Sequence, residues 1–200
     1  MDIFSAIEQR RSVKTYDASH RMSDSDVTKL ISTTMLSPTA FNLQHWRWVQ
    51  VTDMALREQI KAVAWGQAQV TDASALFVLC ADVQAWQKDV SRYWENAPEG
   101  VRDFMVGAID QYYRGREQVQ RDEAMRSGGI IAQTMMLAAK GMGYDSCPMD
   151  GFDFDAVAKL IKLPADHVIV MMIAVGKAAE PARPRAGQLP LEQVLLQNTF

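Results

Sequence analysis

Two stretches constrain this chain more than anything else in it. Ala75-Leu76-Phe77-Val78-Leu79-Cys80-Ala81 and Val168-Ile169-Val170-Met171-Met172-Ile173-Ala174-Val175 are apolar at odd and even positions alike. Successive side chains of a strand point to opposite faces of its sheet, so a strand with no polar alternation has no side to turn to water. Both stretches therefore predict strands in the middle of a sheet covered by helices. The alternation Trp46, Trp48 or Val49, Val51 predicts another strand and Tyr144 to Pro148 a shorter one, which makes a sheet of about four strands.

Capping residues place the helices around that sheet. Asp2 precedes Ile3, Phe4 and Ile7, and the helix they predict runs straight into the basic segment Arg10, Arg11, Ser12, Val13, Lys14. Ser23 and Asp26 have capping-box spacing ahead of Val27, Leu30, Ile31, Thr34 and Met35, and Ser37-Pro38 stops that helix because proline disfavours helical geometry in the residue before it. Asp53 caps a third helix carrying Leu56, Ile60 and Val63, and Asp153 another. Ser127 to Gly141 is small or apolar nearly all round, which suits a helix buried against the sheet or against a second subunit. Between 86 and 126 the chain is charged and aromatic and reads as an exposed helical excursion, while the segment from Pro181 onward reads as a C-terminal arm at about 181–200. No repeat or linker divides residues 1–200, so one domain is expected.

Bulk charge and cysteine usage exclude several classes of function. A net charge of −3 gives no general attraction to nucleic acid or to an anionic membrane surface. Asp2 and the absence of a long apolar run argue against a signal peptide or membrane span, so a soluble, cytoplasmic protein is expected. Cys80 and Cys147 lie far apart in apolar surroundings and read as buried thiols. His20, His45 and His167 are scattered, which suggests neither a metal site nor a Ser-His-Asp triad.

Four segments carry the possible chemistry; taken alone, the two basic ones read more readily as surface charge and the two loops equally well as ordinary turns. Arg10, Arg11, Ser12 and Lys14 put three cations and a hydroxyl at a helix end, where they could grip a phosphate. Arg183 and Arg185 flank Pro184 and would point the same way from an extended chain. Ser37 to Trp46 is a loop rich in amides and hydroxyls at the mouth of a strand. Met149-Asp150-Gly151-Phe152 follows a strand, and Gly151 would let backbone N–H groups approach a planar ligand.

In order and spacing these segments resemble the FMN-dependent nitroreductase family over nearly the whole chain. The resemblance rests on Arg10, Arg11, Ser12 and Lys14; on Ser37, Pro38, Thr39, Asn42, Gln44 and Trp46; on Gln67 and Gln69; on Pro148 through Phe152; and on Arg183 and Arg185 before Leu189-Pro190-Leu191-Glu192. It implies an α+β fold with a central, mostly antiparallel sheet wrapped by helices, an intertwined homodimer with FMN at the interface, and NADH or NADPH as reductant. Arg10, Ser12, Arg183 and Arg185 would hold the phosphate end, with Arg11 also among the cofactor-binding residues. Lys14 would stabilise negative charge on the flavin, Asp150, Gly151 and Gln67 would meet the ring edge, and a partner subunit would supply Pro38, Thr39, Ala40 and Asn42. A small acceptor such as a nitroaromatic or quinone would then be reduced in ping-pong fashion, with no side-chain acid or base required. His45 stands where the family carries proline, and Asp150 where many relatives carry another residue. The competing readings are a flavoenzyme of different chemistry, such as dehalogenation or flavin breakdown with residues 86–126 as a lid, and a non-redox FMN-binding protein.

Overall fold

The computed structural model describes residues 1–200. Its helices begin where the capping residues put them. The Asp2 carboxylate accepts from the N–H groups of Phe4 and Ser5 at the start of α1 (Ile3–Gln9), and Ser23 Oγ accepts from Asp26 N at 3.1 Å ahead of α2 (Asp24–Thr34). Asp53 accepts from Ala55 N at 2.9 Å before α3 (Met54–Ala62). Each such bond satisfies a donor that the first turn of a helix leaves over. A short α4 (Gln69–Asp72) follows, then α5 (Glu99–Tyr113), α6 (Glu117–Gly141), α7 (Phe154–Leu160) behind its Asp153 cap, and α8 (Leu191–Val194).

The sheet has four strands, β1 (Trp46–Gln50), β2 (Ala75–Asp82), β3 (Asp145–Met149) and β4 (His167–Gly176), in the order β1-β2-β4-β3 with every neighbouring pair antiparallel. The two all-apolar stretches are the two central strands, and every residue of β2 is buried. Leu76, Val78 and Cys80 pack on one face with Ile60 of α3 and Val157 of α7; Phe77, Leu79 and Ala81 pack on the other with Leu30 of α2 and Ile131 and Met135 of α6. The register shifts between Leu79 and Cys80, which pair with Met171 and Ile169, so Val170 is the extra residue of a bulge. Val170 turns toward α6, where a Cβ on Gly128 would fall 2.6 Å from its Cγ2; glycine there lets the long helix lie close on the strand.

Two expectations need correction. The helix expected from Ser127 begins at Glu117 and runs 25 residues, because Gln120 and Glu123 are buried and paired rather than exposed. Gln120 Nε2 donates to the Tyr113 carbonyl at 2.9 Å, and Glu123 accepts from Tyr112 Oη at 3.1 Å. Nor is the 86–126 excursion simply exposed: Trp86, Ile109 and Tyr113 close a small core of their own over Leu43. Lys88 ties its start to the sheet, donating to Asp82 at 2.8 Å and to Asp166 at 2.5 Å. This ammonium sits among Asp82, Asp166 and His167, which the scattered histidines of the sequence gave no reason to group, and it and His167 hold the Asp166 carboxyl down at about 2.

Candidate functional site

The basic segment after α1 lies along the free edge of β3. Val13 N donates to the Ser146 carbonyl at 3.1 Å and Ser12 bridges Ser146 in parallel, so a single bridge covers part of an edge whose other side pairs with β4. Val13 is buried by this pairing, while Ser12 and Lys14 on either side of it stay exposed. Lys14 Nζ stands 3.3 Å from the buried Cys147 sulfur. Burial pushes the Cys147 thiol up, and Lys14 and then Arg10 partly offset that.

The C-terminal arm returns to the same place. Arg11 donates to the Arg183 carbonyl, and Arg185 Nη2 reaches the carbonyls of Glu8 at 3.1 Å and of Ile7 and Arg10 at 3.3 Å, capping the end of α1. Arg185 and Arg10 share a cavity of about 400 Å³ with Ile7, Glu8, Gln133 and Gln188. Burial, then repulsion by Arg185 and Arg11, holds the Arg10 guanidinium below its ordinary value. None of Arg10, Arg11, Lys14, Arg183 and Arg185 has a carboxylate within 4.0 Å. Cations gathered without a counter-charge repel one another, and a bound anion removes that repulsion.

Past the end of β3, the N–H groups of Asp150 and Gly151 donate to nothing within the chain. The Gly151 carbonyl, in contrast, accepts from Gln67 Nε2 at 2.9 Å, and Gln69 Nε2 in turn donates to Gln67 Oε1 at 2.9 Å. The Gln67 amide is thus used to hold Gly151, with its donor side facing protein. Arg10, Arg11, Ser12, Lys14, Gln67, Asp150, Gly151, Arg183 and Arg185 accordingly gather around β3, its two flanking loops and the end of α1.

Pro38, Thr39, Ala40 and Asn42 lie elsewhere, in the loop between α2 and β1. Thr39 Oγ1 meets Ser127 Oγ at 2.8 Å, Ser37 Oγ meets Thr134 Oγ1 at 2.8 Å, and Asn42 Nδ2 donates to the Tyr93 carbonyl at 2.8 Å. Phe41, Asn42 and Gln44 all have positive φ, between 45° and 57°, and Trp94 Nε1 holds the Phe41 carbonyl at 3.1 Å. Under the loop His45 is buried against Tyr113, 3.5 Å from Thr39 Oγ1, and burial drives its pKa down to about 4. Its Nε2, Trp86 Nε1 and Tyr113 Oη make no hydrogen bond in the chain.

No motif in the sequence points to Trp65. Its ring lies on Gly151, where a Cβ would fall 2.5 Å from Trp65 Cζ3. The signal was its neighbour Gly66 at the end of a predicted helix, which marks a left-handed turn without saying which residue makes it.

The whole chain is similar to proteins already known. The model of the nitroreductase family matches residues 7–177. Protein DrgA of Synechocystis is 50% identical over 98% of this chain and 95% of its own length, and "Putative NAD(P)H nitroreductase MhqN" of Bacillus subtilis is 35% identical over 94% of each. Among solved structures, the putative nitroreductase ydfN of Bacillus subtilis superposes with a TM-score of 0.91 at 33% identity, covering 96% of this chain and 97% of its own. A putative nitroreductase of Exiguobacterium sibiricum, solved in complex with FMN, superposes with a TM-score of 0.90 at 26% identity and covers 98% and 96%. With a family model over residues 7–177 and relatives 35–50% identical along nearly the whole chain, the chain belongs to the nitroreductase family.

Proposed function

We propose that this protein is an FMN-dependent oxidoreductase that takes electrons from NADH or NADPH and passes them to a small acceptor such as a nitroaromatic or quinone. The observation that carries this is the pairing, around one strand, of five cations lacking carboxylate partners with the two unspent N–H groups of Asp150 and Gly151. An anionic tail and a planar ring with acceptor atoms at its edge is the ligand shape that uses both, and FMN has that shape.

Arg10, Arg11, Ser12, Arg183 and Arg185 bind the phosphate end in this reading. Arg185 orders the site as well as charging it, since its bonds to the end of α1 fix Arg10. Lys14 places a positive charge at the β3 edge, where negative charge on the ring is stabilised in a partly dry setting. Asp150 and Gly151 donate N–H bonds to the ring edge, and Gln67 keeps Gly151 turned so that its N–H is available. FMN, when bound, supplies the acceptance and delivery of the hydride. Reductant and acceptor then use one cleft in turn, which is ping-pong order.

The site is completed by a second copy of the chain. Ile3, Phe4 and Ile7 of α1 turn outward, Phe4 with 74% of its surface exposed, and Leu36 beside the Pro38 loop is exposed too. Leu189, Leu191, Val194, Leu195 and Leu196 of the arm have no core of their own to enter. Such surface is costly on a free monomer and is ordinary at a subunit contact, where each copy would bring Pro38, Thr39, Ala40 and Asn42 to the other's ring. The test is a visible absorption spectrum of the purified protein before and after anaerobic NADPH or NADH. Two flavin bands that bleach are expected. Bands that persist would leave an FMN-binding protein without reductase activity, and failure to take up added FMN would overturn the reading.

A further inference from the structure

Trp65 is held in an unfavourable backbone conformation with its side chain largely in water. It follows α3 at the position where a helix usually ends on a left-handed glycine: the Gly66 N–H closes back onto the Lys61 carbonyl at 3.0 Å, and Trp65 has a φ of 55°. A bulky side chain there crowds its own backbone, which glycine would not. Core burial does not repay this, because 80% of the Trp65 surface is exposed. The ring still has a neighbour. It rests on Gly151, close enough that a Cβ at 151 would fall 2.5 to 3.0 Å from three ring atoms, while Gln67 from the same loop holds the Gly151 carbonyl. The loop 64–67 therefore places an electron-rich indole against Gly151, the residue whose N–H is free.

We propose that Trp65 is a specificity-determining residue, a stacking platform that favours electron-poor planar aromatic acceptors at the mouth of the cleft. This rests on the function proposed above and adds to it the residue that selects among its acceptors. An indole and an electron-deficient ring attract in offset-stacked geometry, and the exposed indole offers area for that contact. A residue kept at a strained position for its side chain, at a site boundary, is the pattern expected where strain serves recognition.

Trp65→Gly and Trp65→Asn both suit the backbone conformation and delete the ring, whereas Trp65→Phe keeps an aromatic face. The holoprotein is titrated with 1,3-dinitrobenzene by equilibrium dialysis without reductant, so binding is read apart from turnover, and its melting temperature is measured alongside. Expected are a dissociation constant raised about tenfold in the Gly and Asn variants and largely restored in the Phe variant, with Trp65→Gly melting roughly 2–5 °C higher as strain is released. Unchanged dinitrobenzene binding in the Gly and Asn variants, or no measurable binding to the wild type, overturns the proposal. A lower melting temperature for Trp65→Gly makes the ring a structural strut, and a smaller species in sedimentation makes it a subunit contact; either overturns it too. A wild type that NAD(P)H does not bleach defeats the proposed function alone, since the dialysis does not depend on reduction.

Discussion

The two halves of the candidate site spend their polar groups differently: in the β3 half Arg11, Arg185 and Gln67 bond to backbone carbonyls, yet other donors there stay unspent. Around β3, Lys14 reaches only a sulfur, Arg10 is repelled by its neighbours, and the Asp150 and Gly151 N–H groups are free. In the loop between α2 and β1, Thr39, Ser37 and Asn42 are each bonded to α6 or to the excursion, and three residues at positive φ are pinned by that network. A surface that must gain a ligand keeps donors in reserve; a wall that must hold its shape uses them up. On the proposed function, binding falls to the first half and shape to the second, and Pro38, Thr39 and Ala40 would act through backbone and contour.

The sharpest way to break that division is acid. His45 lies beneath the loop half, faced by Thr39, Tyr113, Asp82, Glu123 and Arg47, and burial outweighs the two carboxylates in bringing its pKa to about 4. The unfolded chain binds that proton near pH 6.5, so the folded state holds fewer protons between the two values. The stability His45 contributes in its neutral form is complete above pH 6.5 and falls away as pH drops toward 4, by roughly 3 kcal/mol. Urea unfolding across this window is expected to show the loss in the wild type and a flatter profile in His45→Gln. Equal slopes would separate the loop's integrity from His45 and weaken its reading as a wall.

The β3 half should respond to ligand rather than to unfolding. Arg10→Ala is expected to weaken FMN binding about 10- to 100-fold, the equivalent of roughly 1.5–3 kcal/mol for a charge-assisted bond. The melting temperature of the FMN-free protein should hold or rise slightly, because Arg10 has no carboxylate partner to lose. Arg185→Ala should weaken FMN similarly and also lower that melting temperature, since the three carbonyls it reaches at the end of α1 lose their donor. If both variants retain FMN as the wild type does, the cations do not form the phosphate site.

Much of this was legible because it depends on local rules. Asp2, Ser23, Asp53 and Asp153 cap where they were expected to, and two stretches without a polar face became the two central strands. The N-terminal reach of α6 was hidden because Gln120 and Glu123 look like surface residues and become core only through partners on Tyr112 and Tyr113 of the preceding helix. The grouping of Arg10 with Arg185 followed from the family's motif order; nothing in the spacing of two residues so far apart would bring them into one cavity. Trp65 stayed hidden for a different reason. Its backbone conformation contradicts its residue type, and rules built on local preference place such a residue anywhere else first.

The finest test concerns Asn42, which the family motif places against the flavin and whose amide the structure shows bonded to the Tyr93 carbonyl. Asn42→Gly keeps the positive φ at no steric cost and removes that amide, along with a weaker bond from Gln44 Nε2 at 3.4 Å, while the freer unfolded chain adds a cost of its own. If the loop half is a wall, unfolding stability drops by about 1–2 kcal/mol, one hydrogen bond plus the greater freedom of glycine in the unfolded chain. FMN affinity should then shift far less than in Arg10→Ala, and the shift should come with looser hydrogen-exchange protection in residues 90–94, where Tyr93 lies. A loss of FMN affinity as large as that of Arg10→Ala, with unchanged stability, would mean that Asn42 gives up Tyr93 on binding and that the second half also keeps donors in reserve.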